Sequence, residues 1–152
     1  MIGSWFSISW LKAMREKEPP EPVNPIGIVA IGTLKPDIMD SAKGMVRKSL
    51  KRAQFRVVDV GRGVTPETFA SKAKEAKADI VVVSVLLSAA KANLSKLVSQ
   101  LEAQGLKDKV TVIIGGAAVT REDADKIGAM FGTTREEAVV LAQKAMEQKN
   151  RV

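Results

Sequence analysis

The sequence contains no cysteine and no histidine. Without cysteine, the chain can form neither a disulfide nor a thiolate metal site, and its redox compartment is left open. Without histidine, it lacks the commonest metal ligand and the commonest general base at neutral pH. These absences exclude Ser-His-Asp chemistry and histidine-rich zinc or iron sites, and they leave carboxylate, lysine or serine chemistry open.

Aromatic residues and long apolar runs are also scarce. There is no tyrosine, and both tryptophans lie within the first ten residues. No apolar run approaches the ~20 residues that a transmembrane helix needs. The N-terminus lacks the basic region and the small-residue cleavage site of a signal peptide. We therefore expect a cytoplasmic protein that has no membrane partner.

The chain carries a net charge of +7, and part of that charge forms one helical face. This basic face comprises Lys43, Arg47, Lys48, Lys51 and Arg52, spaced three or four residues apart. Its simplest interpretation is a solvated surface, with an acidic protein partner and nucleic acid as alternatives. No nucleic-acid motif accompanies it, so nucleic acid is not an expected partner.

The first 25 residues differ from the remainder of the chain. On a helix, Phe6, Trp10 and Met14 would form one apolar row. This segment could pack back onto the domain, bind a partner or a second copy through residues 1–18, or contact a membrane surface. A proline-rich stretch follows, which favours an extended linker. We expect an N-terminal arm and linker over 1–25 and one domain over 26–152.

From residue 26, short β-branched runs alternate with helical segments. We predict strands at 26–32, 55–60, 79–86, 109–114 and 129–132, and helices at about 38–53, 66–77, 91–104, 121–128 and 135–148. Thr65, Thr120 and Thr134 are predicted helix N-caps. Five successive β-then-α units predict an α/β fold with a doubly wound, five-stranded parallel sheet. The expected form is flavodoxin-like (Rossmann-like), with strand order 2-1-3-4-5.

In that order, the loops after the first and third strands face each other across one crevice, beside the loop after the fourth. Ligands of open α/β sheets bind at such a position. Small residues dominate all three loops, so a bulky ligand could approach the backbone closely. Neither a Walker phosphate loop nor GxGxxG is present.

These loops carry a resemblance to a known family. The matching stretches are Gly32-Thr33 with Asp37 and Lys43, then Val58–Gly61, Val64–Phe69, Ser84–Leu87 and Val112–Thr120. In order and spacing, they resemble the cobalamin-binding domain of corrinoid methyl-carrier proteins and methionine synthase. That domain shows G-T-x-x-G-D-x-H-x-x-G-K, then V-x-D-L-G, S-x-L-L and V-x-V-G-G-A-x-V-T.

The resemblance implies that the chain binds cobalamin or a related corrinoid. The positions that match the family's cofactor-binding residues are Thr33, Asp37, Met39, Ser84, Leu86, Ser88, Gly115 and Gly116. In the family, the histidine of D-x-H-x-x-G is the lower axial ligand of cobalt, and the aspartate orients it. Serine, leucine and glycine positions at the ends of the third and fourth strands line the groove for the cofactor's nucleotide tail.

The departures from the family fall on this chemistry. Met39 stands in the place of the axial histidine, Ala42 in that of the last glycine, and Pro36 in that of the preceding one. A thioether is a soft ligand, so the simpler interpretation makes Asp37 a helix N-cap and places Ile38 and Met39 in ordinary packing. The small groove residues could equally be retained for packing alone.

Two functional hypotheses follow. In the first, the chain is a methyl-carrier corrinoid protein that holds the cofactor without a histidine ligand and presents it to a partner methyltransferase. In the second, it is a cofactor-free relative that acts as an interaction or regulatory module. No catalytic residue and no protein metal ligand is predicted, so we expect a carrier or binding subunit. An unrelated flavodoxin-like binder of a flavin or nucleotide is a third possibility, resting on the crevice alone.

Overall fold

A computed structural model describes residues 15–150. The strands are β1 (Ile28–Leu34), β2 (Arg56–Val64), β3 (Ile80–Ser84), β4 (Thr111–Gly115) and β5 (Met130–Phe131). The helices are α1 (Ser41–Arg52), α2 (Pro66–Glu75), α3 (Ala92–Ala103), α4 (Arg121–Ile127) and α5 (Arg135–Asn150). A short 3-10 helix, Ser88–Ala90, follows β3 and was not predicted. The predicted row of Phe6, Trp10 and Met14 lies outside the described residues.

The strands form one parallel sheet in the order β2-β1-β3-β4-β5, which confirms the predicted fold. The central strand β3 is buried along its whole length, as its β-branched run predicts. From β1 the chain passes to β2 on one side, and it then crosses back to β3 on the other side of β1. The switch point therefore lies between the carboxyl ends of β1 and β3. No helix between residues 15 and 150 is long and apolar enough to cross a bilayer.

Two apolar layers cover the sheet. Val81 and Val83 of β3 face the layer formed by α2, α3 and α4, whereas Ile80 and Val82 face α1 and α5. This alternation is the two-residue period of a strand. By the same period, Ser84 lies on the face covered by α1 and α5, at the carboxyl end of β3.

The predicted helix caps are confirmed. Thr65 Oγ1 accepts a hydrogen bond from the Thr68 amide at 3.1 Å, and Thr134 Oγ1 accepts one from Glu137 at 3.0 Å. Thr120 and Asp123 form a capping box at the start of α4. A hydrogen bond from Lys91 holds the pKa of Asp123 below its ordinary value.

The linker does not leave the basic face of α1 solvated, so that interpretation was wrong. Glu18 pairs with Arg47 and with Lys51, the latter at 2.9 Å, and Glu21 pairs with Lys51 at 3.0 Å. A further carboxylate, that of Glu16, lies 2.8 Å from Arg52. The acidic linker therefore neutralises the helix within the same chain.

These ion pairs shift the pKa of Glu16, Glu18 and Lys51. The hydrogen bond from Arg52 is the main reason that the pKa of Glu16 lies below its ordinary 4.5. Burial raises the pKa of Glu18, but the hydrogen bonds from Arg47 and Lys51 outweigh it and lower the pKa overall. The hydrogen bond from Glu18 raises the pKa of Lys51. Ionised carboxylates thus favour the docked linker.

We expect acid to remove the stability that the ion pairs of Glu16 and Glu18 contribute. Because the folded pKa of each glutamate is depressed, the stabilisation is fully present above the ordinary carboxyl pKa of 4.5 and is lost as pH falls through the lower folded values. The double variant E16Q/E18Q should unfold about 2–4 °C below wild type at pH 7, the effect of about 1 kcal/mol in a chain of this size.

Thermal unfolding measured between pH 7 and pH 3 checks this expectation. The gap between wild type and E16Q/E18Q should close at the acid end, while E147Q, at an exposed position of α5, should show no gap at either pH. A gap that persists unchanged at pH 3 would contradict the electrostatic account of the linker.

Candidate cofactor site at the carboxyl edge of the sheet

The candidate site is built by the loops that leave the carboxyl ends of β1, β3 and β4. The β1 loop (35–40) leads into α1, the β3 loop (85–91) into α3, and the β4 loop (116–120) into α4. The first two loops meet at the switch point, as predicted.

Asp37 joins these two loops. Its side chain is fully buried, and its Oδ2 accepts hydrogen bonds from the amides of Leu86 at 2.7 Å and Leu87 at 3.1 Å. Its Oδ1 accepts a third from the amide of Met39 at 3.0 Å. A carboxylate can accept several bonds at once, and bonds to an ionised acceptor are stronger than neutral ones. Asp37 therefore fixes the β3 loop against the β1 loop.

The interpretation of Asp37 as the N-cap of α1 was wrong. Helix α1 begins at Ser41, and Asp40 occupies its N-cap position. The structure, over its described residues, shows no side-chain cap bond from Asp40. The Asp37 carboxylate instead accepts from the amides of Met39, Leu86 and Leu87.

Thr33 and Asn93 complete the support of the β1 loop. Thr33 Oγ1 donates to the carbonyl oxygen of Asp37 at 2.6 Å and accepts from the amide of Gly63 at 2.8 Å. Asn93 Nδ2 donates to the carbonyl oxygen of Lys35 at 2.6 Å. The loop is thus held from the β2 side and from the start of α3.

Three apolar side chains stand exposed on the outer side of these loops. Ile38 is 60% exposed, Met39 48% and Leu87 39%. The expectation that Ile38 and Met39 are ordinary packing residues was therefore wrong. With Asp37 directed inward and the amide of Met39 bound to it, the side chains that follow it face outward. We call Ile38, Met39 and Leu87 the apolar platform.

Ser84 and Gly115 lie beneath this edge on adjacent strands. They are register partners in the β3–β4 ladder, and both are buried. Ser84 Oγ has no hydrogen-bond partner among residues 15–150. Buried hydroxyls are ordinarily paired, so this oxygen is a candidate contact for a bound group.

Gly116 has a different explanation. Its φ is +120°, and a Cβ added there would lie 2.3 Å from the carbonyl oxygen of Val85. The β4 loop therefore packs directly on the backbone of the β3 loop, and packing alone requires this glycine. Of the other predicted site residues, Leu86 is half-buried and packs against the α1 side of the core, whereas Ser88 is exposed at the start of the 3-10 helix.

Lys43 is a supporting residue that sequence reasoning misplaced. It was assigned to the basic face, but its side chain is 5% exposed and its Nζ lies 2.9 Å from Asp59 Oδ1. The same oxygen accepts from the amide of Gly61 at 2.9 Å. The sequence could have indicated this pair, because the family pattern contains both the lysine and the aspartate. Within the described part of the chain, no three acidic side chains converge to hold a metal ion.

Comparison with known proteins identifies the family. The B12 binding domain family matches residues 27–142, which cover every residue of the site. The chain belongs to this family. Every strand of the sheet lies within the matched B12 binding domain.

Relatives and solved structures agree with this assignment. The chain is 40% identical over 122 residues to the trimethylamine corrinoid protein of Methanosarcina barkeri, covering 80% of this chain and 56% of that protein. It is similar to the crystal structure of a cobalamin-binding protein from Desulfitobacterium hafniense, with TM-score 0.75, 29% identity, and coverage of 78% and 58%. The fold also matches the methanol:cobalamin methyltransferase complex MtaBC of M. barkeri, with TM-score 0.76, 21% identity, and coverage of 82% and 48%. The chain spans about half the length of such proteins.

Replacing Asp37 by asparagine should loosen the two loops. Asparagine keeps one acceptor oxygen, so its amide nitrogen would face a backbone N–H and leave a buried donor unpaired, at a cost of about 1–3 kcal/mol. Urea unfolding measures this loss, and hydrogen exchange at the amides of Leu86 and Leu87 should accelerate. The matched variant D40N, at an exposed position three residues away, should stay within about 0.5 kcal/mol of wild type. Equal stability of D37N and D40N would refute the bridging role.

Gly116→Ala should destabilise the chain more than Gly105→Ala. Both glycines have positive φ, but a Cβ at Gly105 would meet nothing within 4 Å, whereas one at Gly116 would clash with Val85. We expect about 1 kcal/mol for G105A, from backbone strain alone, and at least about 2 kcal/mol for G116A. Denaturant unfolding compares the two, and equal losses would show that the predicted clash is relieved.

Proposed function

We propose that the chain binds a corrinoid on the apolar platform and acts as a methyl carrier for a partner methyltransferase. The observation that carries this proposal is the family match over residues 27–142. A second observation supports it: Ser84 Oγ, at the carboxyl edge of the sheet, is buried and has no hydrogen-bond partner among the described residues. Exposed apolar side chains and an unsatisfied polar group on the loops and strand ends of one sheet edge suit a large ring with a polar tail. The proposed domain spans 26–152, after an arm and linker over 1–25.

The residues present fit the cofactor without supplying a ligand to its metal. Ile38, Met39 and Leu87 would contact the corrin ring and exclude water beneath it. Ser84 would hydrogen-bond the nucleotide tail above the small residue Gly115. Asp37 would hold the loops that carry these contacts. When bound, the corrinoid would supply a cobalt centre that accepts and releases a methyl group.

The axial position is where this chain departs from its family. By the family pattern, Met39 replaces the histidine that ligates cobalt, and the sequence contains no histidine to take its place. The Asp37 carboxylate is directed to backbone amides rather than to the side chain at position 39. We therefore propose that no residue of this chain would bind the cobalt, and that Met39 would pack against the cofactor.

The proposed partner follows from the named relatives. The similar proteins are a trimethylamine corrinoid protein and a structure of a corrinoid protein in complex with its methyltransferase. Since this chain covers only about half of such proteins, the partner and its methyl donor are proposals for this chain. The chain would act as a carrier subunit and not as an enzyme by itself.

Two observations favour a second function. Gly116 is explained by packing, and the Asp37 bridge is complete without a ligand. The fold could therefore persist in a cofactor-free relative that acts as an interaction or regulatory module.

Cobalamin binding separates the two functions. Purified protein incubated with cobalamin should retain a visible chromophore after gel filtration, at a ratio of about one per chain. Cobinamide, which lacks the nucleotide tail, should bind more weakly, by about tenfold for each 1.4 kcal/mol of lost tail contact. No retained chromophore in any cobalt oxidation state would leave the cofactor-free function.

Variants at the site test the roles of its residues. M39A should leave the spectrum of the bound cofactor unchanged, because no cobalt–sulfur bond is broken. M39H should bind more tightly and shift the spectrum if the cobalt lies above this position. S84A should weaken cobalamin binding and spare cobinamide, while S88A, at the exposed neighbouring serine, is the matched control. A spectral shift in M39A would contradict the packing role of Met39.

A further inference from the structure

At Glu16 the acidic linker contacts two helices, α1 and α5. Glu16 Oε2 accepts from Arg52 of α1 at 2.8 Å and lies 3.5 Å from Arg135 Nη1 of α5. Arg135 also donates to Ser49 of α1 at 3.1 Å. The backbone carbonyl of Glu16 accepts from Lys48 at 3.0 Å. Backbone and side chain are thus both held over the junction of α1 and α5.

A groove opens directly beside this anchor. It is about 330 Å³ in volume and is lined by Ser49, Arg52, Ala53, Arg135, Glu136 and Val139. Ala53 and Val139 form its half-buried apolar floor, and the two arginines flank it. Because Arg52 and Arg135 hold Glu16, the groove and the end of the linker share residues.

Residues 1–14 are the segment of this chain placed to occupy the groove. They end two residues before Glu16, whose partners Arg52 and Arg135 line the groove. Fourteen residues reach about 21 Å as a helix. Their apolar side chains include Phe6, Trp10 and Met14, and indole rings bind arginine side chains through their faces.

We propose that residues 1–14 pack in cis into the groove between α1 and α5, with Glu16 as the anchor. Apolar side chains of the segment would cover Ala53 and Val139, between the guanidinium groups of Arg52 and Arg135. The linker glutamates set the position at which the segment enters. This assignment is independent of corrinoid binding, because the groove lies at the last turn of α1 and the apolar platform lies before its first.

Tryptophan fluorescence reports this docking without a label, since both tryptophans of the chain lie within residues 1–14. The full chain should show blue-shifted emission and low acrylamide quenching that do not change with protein concentration. V139N should raise the quenching constant about twofold or more, because the ring loses packed apolar surface. V140N is the matched control, since Val140 is 47% exposed and does not line the groove.

A second pair of variants tests the anchor without touching the core. E16Q should raise quenching, as should high salt, which screens the ion pairs. E21Q is its control, because Glu21 pairs only with Lys51 among the described residues and lies away from the groove. Circular dichroism confirms that each variant is folded.

Three results would overturn the proposal. If acrylamide quenches both tryptophans of wild type as readily as it quenches free tryptophan in solution, the segment does not dock. Emission that shifts with protein concentration would assign the segment to a second copy of the chain. Emission that shifts only on addition of anionic phospholipid vesicles would assign it to a membrane surface.

Discussion

The carboxyl edge of the sheet depends on one buried carboxylate. Asp37 accepts hydrogen bonds from three backbone amides, two of which belong to the loop after β3. A fully buried acid is costly unless its acceptor capacity is used, and these amides use it. The bridge turns Ile38 and Met39 outward and holds Leu87 beside them. It therefore creates an exposed apolar surface on the loops that follow β1 and β3.

Much of the fold could be predicted from the sequence, because its determinants are local. The β-branched run of β3 predicts a strand buried on both faces, and Thr65 and Thr120 predict helix starts through bonds to amides three residues away. Strand order follows from the number and type of the units. The length of β2 was underestimated, because Gly61 and Gly63, both at positive φ, allow it to bend and continue.

The contacts that organise the site could not be predicted, because they join residues distant in sequence. Asp37 binds amides 49 and 50 residues away, and backbone amides carry no sequence signal. The glutamates of the linker pair with α1 residues that lie about 30 positions later in the sequence. For this reason the sequence did not reveal the partners of the basic face, and the face was interpreted as solvated. Resemblance indicated a candidate site but could not separate Gly116, which packing requires, from Ser84, whose hydroxyl has no partner among the described residues.

A corrinoid held by its protein without a protein ligand to cobalt is the central claim of this account. Electron paramagnetic resonance of the Co(II) form tests it most directly, on cobalamin-loaded wild type, wild type grown on ¹⁵N, and M39A. The account predicts the same spectrum for all three, because neither a nitrogen nor a sulfur atom of the protein is bound to cobalt. A change on labelling would place a protein nitrogen on cobalt, a change in M39A would place the Met39 sulfur there, and either result would contradict the claim.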